Sequence, residues 1–182
     1  TPMGISALGI FAQNRKWHKL PEQHYIQMCK MFSMVSDYQE TIQAIYDKQP
    51  KVVIAASGMV TGGRVLSYLE HYIELPETTI IIIGYQAEGT RGRKLLEGDQ
   101  EIKIYGKYYT VNAEIHQIES LSAHADQQEL IDWTSKIRNI PEKVFLIHGE
   151  TPALNALQTT IKRKYNWQTH IAQLNEIQHI TV

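Results

Sequence analysis

The run Thr79-Ile80-Ile81-Ile82-Ile83 limits the possible folds more than any other stretch of this chain. Five consecutive β-branched residues disfavour a helix. The lack of apolar/polar alternation predicts a strand buried on both faces, the habit of parallel sheets covered by helices. Val52-Val53-Ile54-Ala55-Ala56 and Val144-Phe145-Leu146-Ile147 read the same way. Between the first two runs, Val65, Leu66, Leu69, Tyr72 and Ile73 fall on one helical face. Strand, turn, helix, strand predicts a right-handed βαβ unit, and the fold class is α/β.

Local signals place the remaining elements. Ser6 to Asn14 predicts a short helix and Met31 to Val35 a strand. Ser36-x-x-Gln39 predicts a capping box opening a helix through Ile42 and Ile45, stopped by Pro50. Glu101 to Ile118 differs in character: Ile102-x-Ile104, a turn at Gly106, then Tyr109, Val111 and Ala113 to Ile115 predict antiparallel strands and a domain seam. Beyond it, Asp126-x-x-Glu129 caps a helix carrying Leu130, Ile131, Thr134 and Ile137, which Pro141 breaks. Thr151 as N-cap, with Pro152 at the first helical position, starts a helix through Leu154, Leu157, Ile161 and Tyr165. Extended pieces at His170 to Leu174 and Ile177 to Val182 close the chain and complete a second βαβ-like element.

Charge restricts the function. The 182 residues carry 18 Lys+Arg against 19 Asp+Glu, a net charge of -1, so any nucleic-acid site must be local rather than spread over the surface. Cys29 is the single cysteine and forms no internal disulfide, which fits a reducing compartment and predicts the cytoplasm. No apolar run is long enough to span a membrane, and Thr1-Pro2-Met3-Gly4-Ile5 has neither the basic start nor the cleavage pattern of a signal peptide.

Four stretches carry chemistry. Ala56-Ser57-Gly58-Met59-Val60-Thr61-Gly62-Gly63-Arg64 follows a predicted strand and precedes a helix. Ligands of open α/β sheets sit at such strand ends. The turn offers backbone N–H groups to a phosphate, with Arg64 as a fork-shaped donor. The plainer alternative is a tight turn whose glycines serve left-handed backbone and close packing. Nucleotide motifs fail here: Gly58 and Gly63 have P-loop spacing, but Arg64-Val65 stands where Lys and Ser/Thr are needed. Leu121-Ser122-Ala123-His124-Ala125-Asp126 is the second stretch. Asp126 is explained as a cap, whereas His124 is suited to proton transfer at neutral pH or is simply an exposed loop residue.

In the third stretch, Val144 to Glu150, His148-Gly149 ends an apolar strand, which places His148 either at a sheet's active edge or in the core. Two histidines do not hold a catalytic zinc. The other six show neither H-x-H nor H-E-x-x-H spacing, so no self-sufficient metal site is expected. The fourth, Gly84 to Lys94, offers Tyr85 and three cations, Arg91 among them, to a sugar-phosphate backbone, or else is a solvated linker. Lys162-Arg163-Lys164 reads as a solvated helix face.

Taken in order, Ala-Ser-Gly-Met with Gly-Gly-Arg, Gly-Tyr-Gln with Glu-Gly-Thr-x-Gly-Arg, Leu-Ser-Ala-His-Ala-Asp and Ile-His-Gly-Glu resemble the C-terminal half of β-CASP metallo-β-lactamase nucleases, in the RNA-processing branch. The resemblance covers essentially the whole chain. It implies that residues 1–119 are the C-terminal portion of a Rossmann-like, mostly parallel β-CASP domain. Residues 120–182 are then the C-terminal portion of a metallo-β-lactamase αββα core.

By the same resemblance His124 is the active-site histidine at the scissile phosphate, a general acid for the leaving oxygen. His148 is a zinc ligand where the DNA-repair branch tends to carry valine. Ser122 lies beside the phosphate, and Ser57, Gly58, Arg64 and Arg91 face RNA. The family's H-x-H-x-D-H signature and acidic first motif are not in this sequence. The expectation is therefore a two-zinc hydrolase of single-stranded RNA in a longer parent, with homodimerisation open. This piece alone is expected to be inactive and to hold little or no zinc. A non-catalytic RNA-binding or scaffolding relative is the alternative. Without the resemblance, a flavodoxin-like small-molecule domain with its ligand at the Ser57 to Arg64 turn is the other reading.

Overall fold

The computed structural model describes residues 2–180. The chain divides into two compact units, one ending at Ser120 and the other beginning at Leu121. In the first, α1 (Pro2–Gln13) and α2 (Glu22–Met31) flank a short 3-10 turn at Arg15–Trp17. They are joined by the Tyr25 hydroxyl, which donates to the Leu8 carbonyl at 3.1 Å. Then come α3 (Tyr38–Tyr46), α4 (Val65–Tyr72), β1 (Thr79–Ile83), α5 (Arg91–Glu97), β2 (Glu101–Ile104), β3 (Lys107–Thr110) and β4 (Glu114–Ile118).

The β-branched run forms β1 as its composition requires, and its partner is β4. The two pair in parallel from Thr79 opposite Glu114 to Ile83 opposite Ile118. β2 and β3 form the expected antiparallel hairpin, Glu101 opposite Thr110 and Ile104 opposite Lys107. The expectation that Glu101 to Ile118 is antiparallel throughout is thus corrected: the chain leaves the hairpin and crosses back to β1. The Ile73 carbonyl fixes that return by accepting from Asn112 N at 3.0 Å and Ala113 N at 2.9 Å. Between the elements lies a core of Val60, Leu66, Leu69, Ile73, Ile82, Leu95, Ile102, Ile104 and Ala113. Full burial of each large aliphatic stabilises the fold by about 1.5–3 kcal/mol.

Other expectations shift. Val52 to Ala56 is not a strand: residues 51–55 form no strand pair among the described residues, and Val52 is 92% exposed and Ile54 74%. A β-branched run favours extended backbone, but a strand also needs a partner with open N–H and C=O groups. The parallel partner of β1 therefore comes from β4, and the βαβ unit expected through α4 is not formed. β1 is buried on one face only, with Ile80 and Ile82 against the core and Ile81 and Ile83 exposed. Met31 ends α2 instead of opening a strand. The cap of α3 is Asp37, one residue later than expected. Its carboxylate accepts from Glu40 N at 2.8 Å, while Glu40 reaches back to Ser36 N.

In the second unit, α6 (Gln127–Thr134) opens on a full capping box between Asp126 and Glu129, as its sequence predicts. β5 (Val144–Leu146), α7 (Thr151–Tyr165) and β6 (Thr169–Ile171) follow, with β5 and β6 parallel. This is the second βαβ element. The N-cap of α7 is Glu150, with Thr151 and Pro152 already inside the helix. Ile131, Leu146 and Ile161 form the core, tied by the Tyr165 hydroxyl donating to the Ile131 carbonyl at 2.8 Å. Residues 177–180 form no strand, and positions 181 and 182 lie outside the described residues. Among the described residues, no helix is long and apolar enough to cross a membrane.

Candidate functional site

The Ser57 to Arg64 stretch is a knotted turn leading into α4. Val60 N donates to the Ser57 carbonyl at 3.1 Å and Val65 N to the Ala56 carbonyl at 3.3 Å. The Ser57 and Thr61 hydroxyls lie 3.0 Å apart. Gly63 has φ of +76°, and a Cβ there would lie 2.9 Å from the Ala56 oxygen, so both conformation and space demand glycine. Gly58 and Gly62 are different. A Cβ on either meets nothing within 4 Å, and packing therefore does not explain them. The tight-turn reading accounts for Gly63 and leaves those two positions open. Their N–H groups donate to no acceptor among the described residues.

Arg64 does not simply project from the turn. Its Nη1 donates to the Val35 carbonyl at 2.6 Å and its Nη2 to the Ser36 carbonyl. It fastens the entry of α3 to the start of α4, with further N–H donors to spare.

The stretch from Gly84 to Lys94 folds onto the same turn. Thr90 caps α5 by accepting from Arg93 N, so the segment is ordered and is not a loose linker. Arg91 donates through Nη1 to the Val60 and Thr61 carbonyls at 3.3 and 3.4 Å, and through Nε to the Lys103 carbonyl. Arg93 pairs with Glu97 at 2.6 Å. Gln86 is the residue that sequence reasoning missed. It is 2% exposed, and its Nε2 donates to the Gly58 carbonyl at 2.9 Å and to the Tyr85 carbonyl at 3.0 Å. Gly92 N donates to the Met59 carbonyl at 3.2 Å, and a Cβ on Gly92 would lie 1.7 Å from Gln86 Oε1. Turn, Gln86 and the first turn of α5 are therefore one braced body. A lone glutamine between Tyr85 and Ala87 has no spacing signal that marks it in advance.

The second unit holds the two histidines on separate loops. Ser122 Oγ lies 3.3 Å from His124 Nδ1 and also accepts from His124 N at 3.3 Å. His124 Nε2 has no partner among the described residues. His148 lies two residues beyond the end of β5, is exposed, and has φ of 60°, in the left-handed region that histidine enters more often than most residues. It is thus not a core histidine. Gly149 lets the chain turn under Leu154, whose Cδ2 a Cβ would meet at 2.9 Å. Among the described residues, no three His, Cys, Asp or Glu side chains gather closely enough to hold a metal ion.

An α/β scaffold that carries polar loops beside short parallel strand pairs is the general class these units define. The comparisons with known proteins narrow it. The family model described as the Beta-Casp domain matches residues 1–95, and that described as the Zn-dependent metallo-hydrolase RNA specificity domain matches residues 108–172. The chain belongs to the β-CASP family of metallo-hydrolases. It is 36% identical over 147 residues to the transcription termination factor FttA of Pyrococcus abyssi, covering 78% of this chain and 23% of that protein. The FttA of Methanocaldococcus jannaschii is 34% identical over 149 residues, 79% of this chain and 24% of its own length. The RNase J-like protein of the same organism is 41% identical over 106 residues, 58% of this chain and 24% of its own. The chain thus spans about a quarter of the length of the relatives it matches.

Proposed function

We propose that this chain is part of a cytoplasmic, zinc-dependent ribonuclease of the β-CASP family that hydrolyses phosphodiesters of single-stranded RNA. The observation that supports this most is that a Ser122-positioned His124 and an exposed, left-handed His148 both lie inside the stretch matching the RNA specificity domain, each on its own loop. Phosphodiester hydrolysis needs stabilisation of charge on the phosphoryl oxygens and protonation of the leaving oxygen. In this reading the Ser57 hydroxyl and the Gly58 N–H meet phosphate oxygens. Arg64 and Arg91 hold that turn in shape and offer their remaining N–H donors to RNA. Ser122 orients His124, which gives a proton to the leaving oxygen, a role worth about 10²- to 10⁴-fold in rate. We place the boundary between the β-CASP part and the metallo-β-lactamase part at residues 119 and 120.

The residues of this chain do not make up a zinc site, since His148 is one donor and no group of three exists among the described residues. His148 is proposed as a single ligand to a site completed elsewhere in a protein of the relatives' length, where two zinc ions would supply Lewis acidity.

The test is zinc content and cleavage of labelled RNA by the full-length protein, beside His148→Ala and His124→Ala, with DNA as control. The expected result is that His148→Ala loses metal, while His124→Ala keeps metal and loses cleavage. A full-length protein that binds no zinc and cuts no RNA would overturn the hydrolase reading in favour of an RNA-binding scaffold.

A further inference from the structure

At the C-terminal end of α7 the helix and the segment leading into β6 enclose an open groove of about 620 Å³, lined by Gln158, Thr159, Lys162, Arg163, Trp167 and Thr169 among others. Gln158 and Lys162, and Thr159 and Arg163, are i,i+4 pairs, so four polar side chains form one ridge along the helix. The other wall starts after Asn166, whose φ of 55° ends the helix in the left-handed region and turns Trp167 back beside it. Gln158 Nε2 donates across to the Thr169 carbonyl at 3.4 Å and joins the walls.

The end of a helix accounts for some of this charge, because cations are stabilised at the negative pole of the helix dipole. It does not account for the arrangement. Lys164, on the other side of α7, pairs with Asp132 at 4.0 Å. Lys162 and Arg163 have no ion-pair partner among the described residues, and no acidic side chain lines the groove. Trp167 is half-buried and stacked on Tyr165 with ring centroids 4.6 Å apart, and so forms a rigid aromatic wall. Its indole N–H has no acceptor among the described residues. Two uncompensated cations, a braced aromatic and flanking amide and hydroxyl groups are what a short run of single-stranded nucleic acid needs: phosphate contacts plus a base-stacking surface.

We propose that this groove is a second RNA contact, in which Lys162 and Arg163 meet consecutive phosphates and a base packs on Trp167. It rests on the reading that the chain handles RNA and goes beyond it, because the groove's two cations are remote from His148. His148 precedes the N-terminus of α7, and the groove lies at the other end of this 15-residue helix. At the usual helical rise the two are about 20 Å apart. A strand held in the groove is anchored away from His148, and this fits a role in holding the RNA beside the proposed zinc ligand.

The test uses this chain and a fluorescein-labelled, unstructured RNA of about ten nucleotides, within the range of single-strand site sizes. Fluorescence anisotropy is followed from low to moderate salt. The doubly substituted Lys162→Ala/Arg163→Ala chain is expected to bind about fivefold to a hundredfold more weakly, with the salt slope reduced by about 1.4 for two lost phosphate contacts. Both residues are exposed, so the variant should fold, which circular dichroism verifies. In a Trp17→Phe/Trp133→Phe chain Trp167 is the sole tryptophan, and its emission is expected to be quenched by the RNA. If the chain binds RNA but neither the double substitution nor the Trp167 signal responds, the groove is overturned and the RNA reading stands. If the unsubstituted chain binds no RNA even at low salt, both fall.

Discussion

The loops of the first unit and those of the second carry comparable polar side chains and are built in opposite ways. Around Ser57 to Arg64, nearly every polar group that is not glycine backbone is tied inward. Arg64 holds Val35 and Ser36, Arg91 holds Val60 and Thr61, and Gln86 holds Gly58. Around His124 and His148 the side chains are exposed, and among the described residues the contact to either imidazole is that of Ser122 with His124. The first region has its shape written into its own hydrogen bonds and can be damaged by a methyl group. The second displays exposed histidines on its loops, and there the tight position is Gly149 under Leu154 rather than either imidazole.

That contrast is open to direct attack by substitution. Gly63→Ala is expected to have the largest effect, about 2–4 kcal/mol of lost stability, because it adds left-handed strain to a clash with the Ala56 carbonyl. Urea denaturation measures it, and a loss below about 0.5 kcal/mol, the range of an ordinary surface change, would dissolve the idea of a rigid turn. Gly92→Ala comes next, at about 1–3 kcal/mol, since its methyl must displace the buried Gln86 carboxamide. His124→Ala and His148→Ala should each leave the unfolding midpoint within about 0.5 kcal/mol of the parent chain, as exposed substitutions do. A large destabilisation at either position would make that histidine a structural member and blunt the contrast.

The smallest expected effect concerns the acid limb of the second unit. Gln173 N and the His170 ring hold the Glu176 carboxylate well below the usual glutamate value of 4.5, at about 2. A depressed carboxylate stabilises the fold above its unfolded pKa, and this contribution is lost as the pH falls from about 4.5 towards 2. Thermal melts over that window should show a shallower decline for Glu176→Gln than for the unsubstituted chain. Parallel curves would mean that the His170–Glu176 contact contributes nothing in solution.

The helices are the legible part of this fold. α6 and its capping box can be read from Asp126 and Glu129, and α4 from the spacing of Leu66, Leu69 and Ile73, since caps and periodicity are local signals. Strand partners are not local. Val52 to Ala56 and Thr79 to Ile83 are both short apolar runs, yet only the second finds a strand partner, and that partner, Glu114 to Ile118, is polar at three of its five positions and carries no mark of parallel pairing. The candidate site divides along the same line. Ser57, Gly58, Ser122, His124 and His148 stand out by type and position along the chain. The inward commitments of Arg64 and Arg91, and the pairing of Gln86 with Gly92, exist only once residues distant in sequence are packed together.

The pairing of β1 with β4 also has a consequence for how the chain reaches this structure. Thr79 meets Glu114 only after α5 and the whole β2–β3 hairpin have been spanned, whereas Ile104 and Lys107 close the hairpin almost at once. Loop closure makes non-local parallel pairs late and slow, while hairpins form in about 1–10 μs. The hairpin and α5 should therefore precede the sheet, with Ile102 and Ile104 already presenting an apolar face when β4 arrives. Substitutions in β4 would then act mainly on the rate of unfolding, and those in β2 on the rate of folding.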